Sequence, residues 1–239
     1  MLDSLRVTNH VNLKNAVPNN ELIMRVRTDI DSKDIFYTDS NAFEMVKRKR
    51  LAKLPIQGNY YPMPMAAFIE DDAASRPRRR RRVTLVAAQP QGVSSLSSGV
   101  LEVMQDRMLI NDDYRGLGQG VLDNKLSILQ YVLLFEETQV PSPSSWPPPP
   151  PALPHLSLTA HHAALRLNQP VDSFVQSPEY RVELPAEFLP AKVDFMTKPF
   201  PCDVEMLSLR PMPNLDDNTS DADKLLPSRN ASALLILNR

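Results

Sequence analysis

The sequence predicts an all-β fold. Three observations predict it. Apolar and polar residues alternate with period two near the start of the ordered chain, short apolar runs then recur between turn residues, and prolines fall where they forbid helix. The chain has 239 residues, enough to bury one large domain or two modest ones. Its 23 prolines, set against 6 glycines, crowd into the second half and set that half apart.

Residues 1–20 are polar and aperiodic and read as a loose lead-in. From Leu22 to Ile30 the residues alternate, as a strand with one buried face requires. Asp31-Ser-Lys33 turns the chain, Ile35–Thr38 reads as a second strand, and Asp39–Ala42 turns it into Phe43–Lys47. The basic run Lys47–Arg50 reads as a solvated rim at a strand end. Pro55, Pro62 and Pro64 keep Leu54–Pro64 extended. Met65–Ile69, Val83–Ala88 and Leu101–Met104 supply three more short strands. Between the first two lies Arg76-Pro-Arg-Arg-Arg-Arg-Arg82, whose charges predict an exposed loop. It lacks the interleaved aromatic residues of a nucleic-acid surface. Ser127–Glu136 is apolar almost throughout, as a central strand covered on both faces would be, with a buried helix as the competing reading.

From Pro141 the composition becomes that of a polyproline II segment, a stiff spacer or a docking strip. His155, His161 and His162 follow as solvated loop histidines, with only Asp172 near. Glu179–Leu184, Val204–Leu209 and Ala231–Leu237 resume strand-like patterns. The expected organisation is a lead-in over 1–20, a β-sandwich over 21–140, a proline-rich linker over 141–178 and outlying strands of the same β body over 179–239. The last strand stops at Asn238-Arg239, which suggests truncation.

Net charge is −1, so no global field recruits nucleic acid. The single cysteine, Cys202, excludes an internal disulfide and a thiolate metal cluster, and leaves the compartment undecided. The N-terminus has no apolar leader core, and no run reaches the roughly 18 apolar residues of a membrane span. Sequons at Asn218 and Asn230 would take glycans in a luminal chain.

The richest chemistry lies between Gln105 and Lys125. Gly116, Gly118 and Gly120 crowd into five residues behind Asp112-Asp-Tyr-Arg115. Glycine admits sharp turns and close backbone approach, so Arg115 sits on a loop able to present a cation, with the carboxylates of Asp112 and Asp113 near enough to orient it. Such a loop suits polar ligands, sugar hydroxyls included; it also reads simply as a long, well-satisfied β-connection. It lacks the Lys-Ser/Thr ending and following helix of a phosphate loop. No His-Glu-x-x-His and no nucleophile elbow occur, and Cys202 has no positive neighbour to activate it. No catalytic residue and no metal site can be assembled.

Five blocks of this sequence, in order, resemble the C-terminal β region of the Golgi-type α-mannosidase II enzymes of glycoside hydrolase family 38. They are Arg25–Ser32, Phe36–Asn41, Lys53–Pro64, Ala88–Leu96 and Asp112–Lys125, with a weaker echo in Pro201–Leu209 and Ala233–Arg239. The pattern departs from the family at Ala42, at Met108, in the arginine run and in the proline-rich segment. The resemblance implies a sandwich of the galactose-mutarotase-like supersandwich type. It implies a zinc-dependent retaining α-mannosidase that trims N-glycan mannose in the Golgi lumen, with two carboxylates about 5 Å apart. It assigns zinc (Zn2+), its ligands and both carboxylates to a preceding catalytic α/β domain, so this chain binds no cofactor and is inert alone. Its contribution would be Arg115 as a substrate-binding residue, supported by Asp112, Asp113, Gly116 and Gly118. Expected partners are N-glycan mannose and that catalytic domain, with room for a homodimer of the parent enzyme, and neither nucleic acid nor a membrane span. The reading left beside it is a non-catalytic β module that binds carbohydrate or protein by itself.

Overall fold

The computed structural model describes residues 4–41, 44–77, 79–139, 154–170, 198–201, 204–211 and 233–238. The chain divides into two compact units, Met1–Ser173 and Phe174–Arg239. In the first, ten strands run β1 (Ser4–Val11), β2 (Asn20–Arg27), β3 (Ile35–Ser40), β4 (Glu44–Lys49), β5 (Tyr61–Met63), β6 (Ala66–Glu70), β7 (Arg79–Ala87), β8 (Gln91–Ser94), β9 (Val100–Met108) and β10 (Ser127–Gln139). One helix, α1 (Leu158–Asn168), follows. The strands form an antiparallel six-stranded sheet, β1-β10-β7-β6-β3-β4, and a four-stranded sheet, β2-β9-β8-β5. This is the all-β fold the patterning predicts, arranged as a sandwich as the resemblance implies, with one helix added.

The period of two sets the layers. Val83, Leu85 and Ala87 of β7 and Leu129, Tyr131 and Leu133 of β10 meet Leu101 and Val103 of β9 in the core between the sheets. The alternate residues, Val86, Val132 and Leu134, point the other way and pack under Ala160 and Ala164 of α1. Both faces of β10 are therefore covered, which is why its sequence is apolar without alternation. Two alanines one turn apart let the helix backbone lie close to the sheet. Ser157 caps it by accepting from Ala160 N, and its hydroxyl bonds the Glu136 carboxylate of β10, tying the helix start to the strand beneath.

Three expectations need correction. Residues 4–11 are not a loose lead-in. They pair with β10 from Ser4↔Leu134 to Val11↔Ser127, and the ladder supplies the order that a half-polar sequence conceals. Asn9 is held there by donating to Gln105 Oε1 at 2.8 Å, while Gln105 donates to the Tyr131 hydroxyl at 2.6 Å. Burial pushes that phenol's pKa up.

His161 and His162 lie on α1, not on a solvated loop, so the span 141–178 is not all linker. Among the described residues the arginine run is an exposed loop only at Arg76 and Pro77. Arg79–Arg82 open β7, and acids distant in sequence neutralise them. Arg82, 9 % exposed, donates to Glu70 at 2.8 Å and to the His155 carbonyl at 2.9 Å, with its guanidinium 4.1 Å from the Phe68 ring centroid. Arg79 pairs with Glu137, Arg80 with Glu70, and Arg76 with Asp71.

The quoted blocks include residues that lock the sandwich. Asn59 is buried; its amide bonds the backbone of Leu51 and Pro55, and its carbonyl accepts from Ser94 Oγ. Asp39 accepts from Met65 N and Ala66 N at 2.9 and 2.8 Å and so fixes the entry of β6. On the outer face of the four-stranded sheet the buried Glu102 bonds both Arg25 and the Tyr60 hydroxyl, and burial first, then Glu102, pushes the Tyr60 pKa well above the usual tyrosine range.

In the second unit β11 (Glu205–Pro211) and β12 (Ala233–Asn238) pair antiparallel, near two of the three expected strands. The expected strand at 179–184, Cys202, both sequons and the proline tract lie outside the described residues. Among the described residues no helix is long and apolar enough to cross a membrane.

Candidate functional site

The loop between β9 and β10 is closed at its neck. Leu109 N donates to Val121 O at 3.0 Å and Val121 N to Leu109 O at 2.8 Å, an isolated antiparallel bridge just beyond the end of β9. Gly120 makes that closure possible, because a Cβ there would stand 2.1 Å from Leu109 O. Asn19 Oδ1 accepts from Ile110 N, and the Asn124 amide clips onto Asp106 and the Arg107 carbonyl.

Above the neck the loop is built by its own acids. Asp112 accepts from Tyr114 N at 2.8 Å with one oxygen and from Gly118 N at 2.7 Å with the other, and Asp113 accepts from Arg115 N at 3.1 Å. These are side-chain turns of the kind aspartate forms two residues ahead of itself. Tyr114 and Gly118 take positive φ, 57° and 65°. The carboxylates thus hold the backbone and do not hold the guanidinium, which corrects the expected role of Asp112 and Asp113. Backbone N–H groups two residues on are reached with no extra ordering of a long side chain, so they take the carboxylates first. Of the three glycines only Gly118 uses positive φ; Gly120 serves close approach, and Gly116 stands in open space.

All five residues named from the sequence, Asp112, Asp113, Arg115, Gly116 and Gly118, therefore share one loop. The Arg115 side chain is exposed and makes no ion pair among the described residues. It stands beside Tyr114, 81 % exposed, and Leu117, 85 % exposed. Those two were not singled out in the sequence. The signal was present, since a tyrosine and a leucine inside a glycine-rich polar loop have no local core to join.

Sequence reasoning also missed a charge cluster at the other end of the sandwich. Asp71, at the end of β6 with its side chain 1 % exposed, receives Arg81 through Nε at 2.8 Å and Nη2 at 3.1 Å, and the N–H groups of Asp31 and Arg81 at 3.0 Å each. The Arg81 fork, first, and these N–H bonds hold the Asp71 pKa at about 2, against the opposing effect of burial. Arg81 also reaches Asp29 at 2.5 Å, which lowers the pKa of that exposed carboxyl. The cluster borders a cleft of about 750 Å³ between β2, β7, β10 and the start of α1. Most of the charged groups there answer one another: Arg81 meets Asp29, Arg82 meets Glu70, and Glu136 accepts from Thr84 and Ser157.

No three His, Cys, Asp or Glu side chains among the described residues come close enough to hold a metal ion. The resemblance places its zinc in a preceding domain and asks for no ligand from this chain, and no chemical step is routed through a metal here.

Residues 3–115 match the model of the glycosyl hydrolases family 38 C-terminal domain, the match ending on the loop's arginine. The chain belongs to glycoside hydrolase family 38. Similar proteins include Alpha-mannosidase 2 of Drosophila melanogaster, 48 % identical over 161 residues, which cover 67 % of this chain and 14 % of that protein. Alpha-mannosidase 2 of Arabidopsis thaliana is 37 % identical over 234 residues, 95 % of this chain and 18 % of that protein. Alpha-mannosidase 2x of Mus musculus gives 37 % over 234 residues, 97 % of this chain and 18 % of that protein. The chain thus spans less than a fifth of the length of these curated relatives. The family model stops at 115, whereas the mouse and Arabidopsis likenesses cover 95 % or more of the chain.

Proposed function

We propose that this chain is the C-terminal β portion of an α-mannosidase that trims mannose from N-glycans in the Golgi lumen, and that it lends Arg115 to a sugar pocket whose other wall is the catalytic domain. Zinc and both reacting carboxylates belong to that domain. The observation that carries the reading is the state of Arg115: a cation on a backbone fixed by Asp112 and Asp113, closed beneath by the Leu109–Val121 bridge, with its guanidinium turned to solvent and unpaired among the described residues. A cation kept on a rigid stem is preorganised to bond a sugar hydroxyl once water is excluded. The exposed Tyr114 and Leu117 beside it are the apolar surface that an apposed domain would cover.

The test is Arg115→Ala in the full-length enzyme. Loss of a charge-assisted hydrogen bond in a buried pocket costs about 1–3 kcal/mol of transition-state binding, read as a fall in kcat/KM on an aryl α-mannoside. Wild-type kinetics in that variant remove Arg115 from the pocket. The 239-residue chain alone, supplied with zinc, should give no turnover and no heat of binding with mannose oligosaccharides. Millimolar or tighter binding by the isolated chain would replace this reading with that of an autonomous carbohydrate-binding module.

A further inference from the structure

The groove between helix α1 and the outer face of β1 and β10 has a lining unlike the rest of the molecule. It encloses about 370 Å³, within the range of small-molecule sites of roughly 300–1,000 Å³ and too large for a bare inorganic anion. Its floor is apolar, formed by Val132 and Leu134, both nearly buried, with Leu158 at the side. Its rim is basic. Arg6 lies directly opposite Val132 in the β1–β10 register and so projects from the same face of the sheet. His162 and Arg166 stand one turn apart on α1, on one side of the helix. No carboxylate lines the groove among the described residues.

This arrangement contrasts with the arginine run that opens β7. Arg79 to Arg82 each meet a carboxylate, and the larger cleft beside Arg81 holds carboxylates of its own. Arg6 and Arg166 form no ion pair among the described residues, and the two face one cavity together. Like charges gathered around one cavity repel, and the groove itself offers nothing to relieve them. Two arginines lining one groove from the sheet and from the helix, over an apolar floor, match a ligand with a doubly charged head and a compact body.

We propose that this groove binds a small organic phosphate monoester with a body of monosaccharide size, the phosphate between Arg6 and Arg166 and the body on Val132 and Leu134. A monocarboxylate would balance only one of the charges, and a neutral sugar none. The site lies away from the Arg115 loop and does not depend on the α-mannosidase reading, so either can fail without the other.

The experiment titrates the full 239-residue chain at low ionic strength with glucose 6-phosphate, following heat or amide chemical shifts. Glucose, glucuronate and inorganic phosphate serve as comparison ligands. Saturable one-to-one binding of the ester is expected, with glucose silent and the other two weaker by about ten-fold or more. Arg6→Gln and Arg166→Gln, both at exposed positions, should each weaken the ester about ten-fold with an unchanged melting temperature, while the remote Lys14→Gln leaves it alone. Three results would overturn the proposal: no saturable binding up to about 10 mM, equal affinity in both arginine variants, or glucuronate or bare phosphate binding as tightly as the ester.

Discussion

Replacing Asp71 by asparagine removes one charge from the end of β6 while keeping the side chain's size, and the structure sets what this should cost. The carboxylate is 1 % exposed and receives the fork of Arg81 together with two backbone N–H groups. Its pKa falls from 3.8 to about 2 in the fold, a gap that corresponds to about 2 kcal/mol. Asparagine retains one acceptor oxygen but leaves Arg81 with only the exposed Asp29, so the loss at neutral pH should be about 2–3 kcal/mol. A carboxyl whose folded pKa is depressed stabilises the fold above its ordinary pKa, and this part is lost as pH falls through the folded value. The wild-type chain should therefore lose about 2 kcal/mol between roughly pH 4 and pH 2 that Asp71→Asn has already lost. Urea denaturation followed by far-ultraviolet circular dichroism across that range measures both curves. A cost below about 0.5 kcal/mol at pH 7, or two curves that stay parallel down to pH 2, would refute the reasoning.

Two glycines give further tests. Gly99 has φ 75°, and a Cβ there would lie 2.6 Å from Thr28 O and 2.7 Å from Ile30 O, so Gly99→Ala should destabilise the sandwich by about 2 kcal/mol or more by the same denaturation. At Gly120 the added carbon would collide with the Leu109 and Ile110 carbonyls, so Gly120→Ala should open the neck bridge. Faster proteolytic cleavage within residues 110–120 is the expected sign, with the global transition little moved; an unchanged cleavage rate would show that the bridge does not hold the loop.

The strands that bury one face or both were legible because their side chains carry the pattern. Leu22–Ile30 alternates and overlaps β2, and Ser127–Glu136 runs apolar and became β10. What stayed hidden depends on partners far along the chain. Ser4–Val11 carries polar residues at five of its eight positions and is ordered by the ladder to β10. The arginines at 79–82 read as a loop because nothing local neutralises them, yet Glu70, Asp71 and Glu137 come from neighbouring strands. Helix α1 follows a proline-rich tract and has no acidic residue in its first turn, so its one clear mark was the Ser157 cap with two alanines a turn apart. At the loop, residue types and glycine spacing placed Arg115, Asp112 and Asp113 together. They could not show that the aspartates would prefer main-chain N–H groups two residues ahead, or six in the case of Gly118, over the guanidinium.

The pairing of β1 with β10 bears on how the chain can reach its fold. Ser4 meets Leu134 across nearly the whole first unit, and β10 also supplies the neighbour of β7. During synthesis the earliest strand must wait, and one edge of β7 stays open, until residues up to 139 have left the ribosome. A sheet zipped by its last strand folds slowly and leaves a bare template for other chains in the interval. Of the arginines along that waiting edge, Arg80 to Arg82 meet Glu70 and Asp71 from upstream, so Arg79 is the one whose carboxylate, Glu137, arrives only with β10.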